Sequence, residues 1–159
     1  MRSIPVIAAL MLCCALALGC GEGLGNPFGG SQWDVGTHHI SFSHGVADWQ
    51  TATDTLVLKF NLLTGSAYPD ATVTVADIST LSVNQPKVVP VHIAISQDTT
   101  YESNQSDLGA QATLTFSRLD LTTLGGVSGT ITGNARRVPD DGLQPVTLEA
   151  SFDDTPITN

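Results

Sequence analysis

Four histidines are the residues of this sequence best suited to bind a metal ion. His38, His39 and His44 lie close together in the sequence, whereas His92 lies far along the chain. A zinc site needs several imidazole nitrogens at about 2.0–2.1 Å from one ion. In a strand, adjacent side chains face opposite sides and each residue advances about 3.3 Å, so the first three side chains diverge. Only a turn at Ser43 would bring a pair such as His39 and His92 together. We therefore expect no bound metal and no other cofactor, with His39 and His92 as the remaining candidate ligands.

The acidic residues and serines form no recognisable catalytic or calcium-binding motif. The acidic doublets at 140–141 and 153–154 do not fit the D-x-[DN]-x-[DN]-G spacing of calcium-binding loops. The segment GVSG at 126–129 lacks the G-x-S-x-G spacing of a nucleophile elbow. No predicted helix follows a glycine-rich loop, as phosphate binding would require. A carboxylate pair for glycoside hydrolysis would have to come from distant strands. These observations predict that the protein is not an enzyme.

Two tryptophans flank the first predicted strand and are candidates for stacking against a ligand. Either Trp33 or Trp49 could line a sugar-binding or other ligand pocket. Aromatic residues make up only 6% of the chain, so a carbohydrate-binding face would leave few of them for the core. Packing in the core or at strand ends is therefore the favoured interpretation.

The first 20 residues, MRSIPVIAALMLCCALALGC, predict export. They combine a positively charged start with an apolar run from Ile4 to Leu18. That run is shorter than the roughly 20 residues of a transmembrane helix. The ending LALGC, from Leu16 to Cys20, resembles the lipobox of bacterial lipoproteins. Ala17 departs from the pattern, since that family more often has Leu at this position.

The resemblance implies that Cys20 becomes the first mature residue and carries a diacylglyceryl group on its thiol and an acyl chain on its amine. Residues 1–19 are then the signal peptide, residues 20–30 the lipidated cysteine and a flexible glycine-rich tether, and residues 31–159 a single all-β domain. In such lipoproteins an Asp after the cysteine tends to retain the protein in the inner membrane, and Gly21 lacks this signal. The resemblance thus implies an outer-membrane lipoprotein. The alternative is an ordinary secretory signal cut near the same place.

Composition indicates an acidic domain without disulfides. All three cysteines lie at or before Cys20, so a hydrophobic core must hold the fold alone. Removing residues 1–19 takes away Arg2, leaves five of the six basic residues beside 15 acids, and changes the net charge from −9 to −10. Such a surface disfavours nucleic acid and anionic headgroups as partners.

Beyond the tether, apolar and polar residues alternate with period two, and no stretch keeps the spacing of an amphipathic helix. The pattern predicts an all-β fold, an antiparallel β-sandwich or small barrel of about seven or eight strands. The predicted strands cover residues 38–43, 55–62, 71–76, 88–96, 112–121, 127–136 and 146–152. Their inward positions predict a core that includes Leu58, Phe60, Leu114, Phe116, Leu148 and Phe152.

Three irregularities interrupt this pattern. Pro90, inside the run 88–96, predicts an edge position or a bulge. A change of phase after Phe116 predicts a one-residue bulge near Ser117 and Arg118. Alternating glycines at 129 and 133 predict either a tight bend or a close approach by the facing sheet.

Two classes of function fit these features. The first is a lipid-anchored envelope lipoprotein that acts through its surface as a structural or partner-binding module, with the membrane and an envelope protein as its partners. The second is a binder of a small ligand or metal inside a sandwich or barrel. A filled core with an exposed edge strand would favour the first class, and an apolar pocket with converging polar groups the second.

Overall fold

The computed structural model describes residues 30–62, 65–104, 106–139 and 142–158. These residues form eleven β-strands and two single-turn 3-10 segments, so the all-β prediction is confirmed while the predicted number of strands is too low. The strands are β1 (Ser31–Val35), β2 (His38–Phe42), β3 (His44–Gln50), β4 (Thr55–Asn61), β5 (Asp70–Ala76), β6 (Pro86–Val89), β7 (Val91–Ser96), β8 (Thr99–Ser103), β9 (Ala112–Leu119), β10 (Gly126–Val138) and β11 (Val146–Thr158). The predicted signal peptide, Cys20 and the tether up to residue 29 lie outside the described residues.

The strands form two layers. The first sheet has the order β2-β1-β11-β10-β9-β6, and the second contains β3-β4-β5-β7-β8. Two long strands belong to both layers: Arg136–Val138 of β10 pair with β8, and Ile157–Thr158 of β11 pair in parallel with β3. The fold is therefore a sandwich whose layers are also joined by backbone hydrogen bonds, which close β3, β4, β5, β7, β8, β10 and β11 into a ring.

Aromatic side chains fill the space between the layers. Trp33 and Phe152 of the first sheet lie with ring centroids 5.5 and 5.6 Å from Phe60 of the second. Phe152 also meets Phe116 edge-on, at 6.3 Å and 87°. Each of the six predicted core residues is at most 3% exposed, so the predicted phase of these strands is confirmed.

The predicted bulge in β9 is present. Ser128 of β10 is in register with Arg118, and Gly129 is in register with Phe116, so Ser117 has no partner residue on β10. The extra residue changes the phase of the strand, which explains the alternation seen in the sequence.

Pro90 divides the run 88–96, which is therefore not one strand as predicted. Residues before it belong to β6 in the first sheet, and residues after it belong to β7 in the second. β6 is an edge strand of its sheet, as the proline predicts, because a residue without an N–H cannot continue a ladder.

The glycines of β10 make room for their own sheet, and not for the facing one. A Cβ on Gly129 would lie 2.6 Å from the carbonyl oxygen of Thr115 and 3.0 Å from Cζ of Phe152. Gly133 has φ +151°, and a Cβ there would lie 2.1 Å from the carbonyl oxygen of Gln111. The close approach therefore comes from β9 and β11, the neighbours of β10 in its own sheet.

Candidate functional site

The two candidate metal ligands lie on opposite outer faces of the sandwich. His39 projects from β2 beside Asp34 of β1, on the first sheet. His92 projects from β7, and its Nδ1 lies 2.9 Å from Oε1 of Glu102 on the second sheet. The core separates the two histidines, so they cannot share one ion. Among the described residues, no group of three or more His, Cys, Asp or Glu side chains is placed to hold a metal.

The other two histidines of the sequence lie apart from these pairs. The ring of His38 lies 6.0 Å from that of Tyr101 on β8, between centroids. His44 begins β3 and is half-buried. His38 and His39 therefore face opposite sides of β2, as strand geometry predicts.

A charged row crosses the outer face of the second sheet. Cross-strand register places Lys59, Thr72, His92, Glu102 and Arg136 side by side. Within the row, Nδ1 of His92 lies 2.9 Å from Oε1 of Glu102, and Nε of Arg136 lies 3.0 Å from Oδ2 of Asp107 beside the row. Such exposed pairs contribute about 0–1 kcal/mol each.

The pKa values of two carboxyl groups next to this row are shifted in opposite directions. Burial raises the pKa of Asp70, and the charge of His92 opposes that rise. Asp107 accepts a hydrogen bond from Nε of Arg136 at 3.0 Å and another from the backbone N–H of Gly109 at 2.9 Å. These two bonds hold the pKa of Asp107 below its usual value.

The outer face of the first sheet carries two adjoining grooves of mixed polarity. Their volumes are about 340 and 250 Å³, and both are lined by Gln32 and Ser151. Hydroxyl groups of neighbouring strands and the carboxylates of Asp34 and Glu149 complete the second groove. These side chains can exchange hydrogen bonds with a polar partner. The grooves are open to solvent, although the core residues Phe42 and Phe152 also line the first of them.

The tryptophans contribute to packing. Trp33 is fully buried, and its Nε1 donates a hydrogen bond to Oγ of Ser31 at 3.1 Å. Trp49 is partly buried and packs against the same core. The favoured interpretation of both residues is thus confirmed.

Ser128, the serine of the GVSG segment, has a structural position. Its hydroxyl donates to Oδ1 of Asp153 at 2.7 Å and accepts from the backbone N–H of Asp154 at 2.9 Å. Asp154 has φ +47° and lies where β11 shifts its register against β10. The hydroxyl therefore stabilises a strand irregularity. The other acidic doublet, at 140–141, lies outside the described residues.

The two edge strands of the first sheet differ in how well they are protected against pairing with another chain. β6 begins with Pro86 and carries Lys87, which is in register with the buried Leu114, contacts the carbonyl oxygen of Ala76 and lies 3.8 Å from Oδ2 of Asp77. Proline and an inward lysine are devices that prevent an edge from pairing with another chain. β2, with the sequence HHISF, has neither and pairs with β1 alone among the described strands.

Comparisons of this chain with protein-family models, curated proteins and solved structures gave no significant match. Within residues 30–62, 65–104, 106–139 and 142–158, no helix has the length and apolarity needed to cross a bilayer.

Proposed function

We propose that this protein is a lipid-anchored envelope lipoprotein of the outer membrane whose β-sandwich acts as a partner-binding surface module. The LALGC sequence ending at Cys20 supports the anchor, and the absence of cysteine after that position leaves one thiol for acylation in the mature chain.

The observation that supports a surface role is the filled core. Rings from both sheets interlock at centroid distances of 5.5–6.3 Å around Phe60 and Phe152. The two grooves of the first sheet open to solvent, and a third depression, of about 110 Å³, lies beside the exposed Leu143 and the half-buried Tyr101. Binding sites for small molecules usually enclose most of the ligand in an apolar pocket. A partner of this sandwich therefore binds its exterior, which favours a surface module over a ligand carrier.

The unprotected strand β2 is the part of that exterior best suited to a protein partner. An added strand would form backbone hydrogen bonds with the edge of β2 that no described strand covers, and the alternating side chains would supply specificity. His39 and Ser41 face outward on this strand, so the partner would also meet the polar surface of the first sheet.

The anchor is tested by mass spectrometry of the N-terminus of the purified protein. We expect a mature chain that begins at Cys20 and carries three acyl chains, each contributing about 0.8 kcal/mol of membrane affinity per buried methylene. The Cys20→Ser variant should leave the membrane fraction or retain its uncut signal. An unmodified Cys20, or a mature chain that begins after it, would contradict the proposal and leave a secreted β-domain.

The surface role is tested by hydrogen exchange of the lipidated protein, purified and in native envelope membranes. A partner strand on β2 should slow exchange of the β2 amides in membranes, while the amides of β6 serve as the matched edge control. Equal exchange of β2 in both samples would exclude strand addition at this edge.

A further inference from the structure

The tether joins the domain at the end where the turn before β10 lies. The carbonyl oxygen of Gly30 accepts a hydrogen bond from the N–H of Asp153 at 3.3 Å, and that of Gly125 accepts one from Ile157 at 3.1 Å. Both donors belong to the last part of β11, four residues apart, which is about 13 Å at 3.3 Å per residue. We name this end of the domain, with Gly30 and the turn Asp120–Gly126, the tether end.

The turn at the tether end displays a leucine to solvent. Leu124 is 98% exposed. The turn is closed by hydrogen bonds from Gly125 N–H to Thr122 O at 2.8 Å and from Asp120 N–H to Gly126 O at 3.2 Å. A Cβ on Gly125 would lie 2.2 Å from the carbonyl oxygen of Asp120, so this position of the turn requires glycine. A closely packed, hydrogen-bonded turn therefore presents Leu124 to solvent.

The length of the tether brings this leucine close to the membrane. Ten residue steps separate Cys20 from Gly30, and they span at most about 36 Å when fully extended. A glycine-rich chain of this length has an average end-to-end distance of about 18 Å. A single exposed leucine is ordinary on a free surface. A leucine on a tethered domain, however, meets the bilayer at a high effective concentration, so even a weak contact with lipid is enough to orient the domain.

We propose that Leu124 inserts into the lipid surface that holds the anchor and thereby orients the domain with its tether end on the membrane. This inference rests on the acylation of Cys20 proposed above. The far end of the sandwich, which includes the loop between β8 and β9 with Leu108, then points away from the membrane.

Charges around the turn specify the kind of lipid. Arg118 contacts Asp154 and lies 3.9 Å from Oδ2 of Asp120. Hydrogen bonds from the hydroxyl and the backbone N–H of Thr122 lower the pKa of Asp120 and so favour its charged form. Two carboxylates beside one guanidinium leave a negative excess, which anionic headgroups repel. The surface that Leu124 enters is therefore zwitterionic phospholipid.

The test uses the full lipidated protein reconstituted in vesicles of zwitterionic phospholipid. Because no cysteine follows Cys20, Thr123→Cys supplies a unique thiol for a fluorophore, and quenching by a lipid-borne quencher reports docking of the turn. Leu124→Asn is then compared with Leu108→Asn, a matched substitution of a leucine that is 90% exposed in the β8–β9 loop.

We expect Leu124→Asn to lower the ratio of quenched to unquenched label roughly tenfold. This factor corresponds to the lower limit of the free energy that is lost when one leucine side chain leaves an apolar environment. Leu108→Asn should leave the ratio unchanged, and vesicles of anionic phosphatidylglycerol should lower it. Equal ratios for the two variants, with Cys20 shown to be acylated, would overturn the membrane contact and leave the anchor intact. Stronger quenching in the anionic vesicles would overturn the assignment of the lipid. An unacylated Cys20 would overturn both the anchor and the contact.

Discussion

Truncation of Phe152 is the most direct test of how the two sheets are held together. Its ring is 3% exposed and contacts Phe60 of the opposite sheet at 5.6 Å and Phe116 of its own sheet at 6.3 Å. Replacing a buried Phe by Ala costs about 3–5 kcal/mol, because burial energy is lost and a cavity remains. Each aromatic pair adds about 0.5–1.5 kcal/mol beyond burial, so we expect Phe152→Ala to fall in the upper part of that range, about 4–5 kcal/mol.

Urea unfolding of the purified protein measures this loss. For a slope of about 2 kcal/mol/M, the midpoint should fall by about 2 M. Leu108→Ala, at an exposed site, should change the free energy of unfolding by less than about 0.5 kcal/mol. A similarly small change for Phe152→Ala would show that the side chain is not in the core and that the assigned phase of β11 is wrong.

Four further predictions concern backbone, charge and metal. Gly133→Ala should destabilise the protein by more than about 1–3 kcal/mol, because residue 133 has φ +151° and the new Cβ would lie 2.1 Å from the carbonyl oxygen of Gln111. Gly142→Ala should cost less, because Gly142 has φ +75° and no atom lies within 4 Å of the new Cβ. Thermal unfolding measures both variants. Asp70→Asn should raise the stability at pH 7, because burial raises the pKa of Asp70 and makes its carboxylate unfavourable, and this gain should disappear as the pH falls below 3.8. Asp107→Asn should do the reverse: the stability that Arg136 confers on the ionised carboxyl is present above pH 3.8 and is lost as the pH falls through the lowered pKa, so the two pH profiles should diverge. Addition of a chelator should leave the melting temperature unchanged, and a large decrease would reveal a bound metal.

Strands with clear alternation could be predicted from the sequence because their own residues specify which side faces the core. The segment 55–62 is an example: it forms β4, and its inward residues Leu58 and Phe60 are buried. The bulge at Ser117 was also predictable, because one extra residue moves every later apolar side chain to the other face.

Strands that depend on their neighbours were missed. β1, with the sequence SQWDV, has few residues with high strand propensity, and it forms because β2 and β11 pair with it on both sides. The end of β11 was missed because the left-handed conformation of Asp154 shifts the phase, so that Thr155 and Ile157 face inward after Phe152.

The side-chain pairs of the candidate sites could not be predicted either, because they also depend on which strands lie next to each other. His39 meets Asp34 only through the register of β1, and His92 meets Glu102 only through β8, which the sequence also did not predict. The histidines could therefore be identified as candidates, but their carboxylate partners could not. Ligand geometry depends on which residues lie opposite each other on different strands, and composition and periodicity do not contain that information.

The sharing of β11 between the layers determines when the protein can fold. β11 is the last strand of the described chain, yet besides β10 directly before it, it pairs with β1 and β3, which are synthesised much earlier. Until it is available, β1 lacks one neighbour and β3 lacks the contact that joins it to the first sheet. Contacts between distant parts of a sequence also slow folding, because the intervening chain must be closed into loops first. The nascent polypeptide should consequently not reach this fold until β11 has been synthesised.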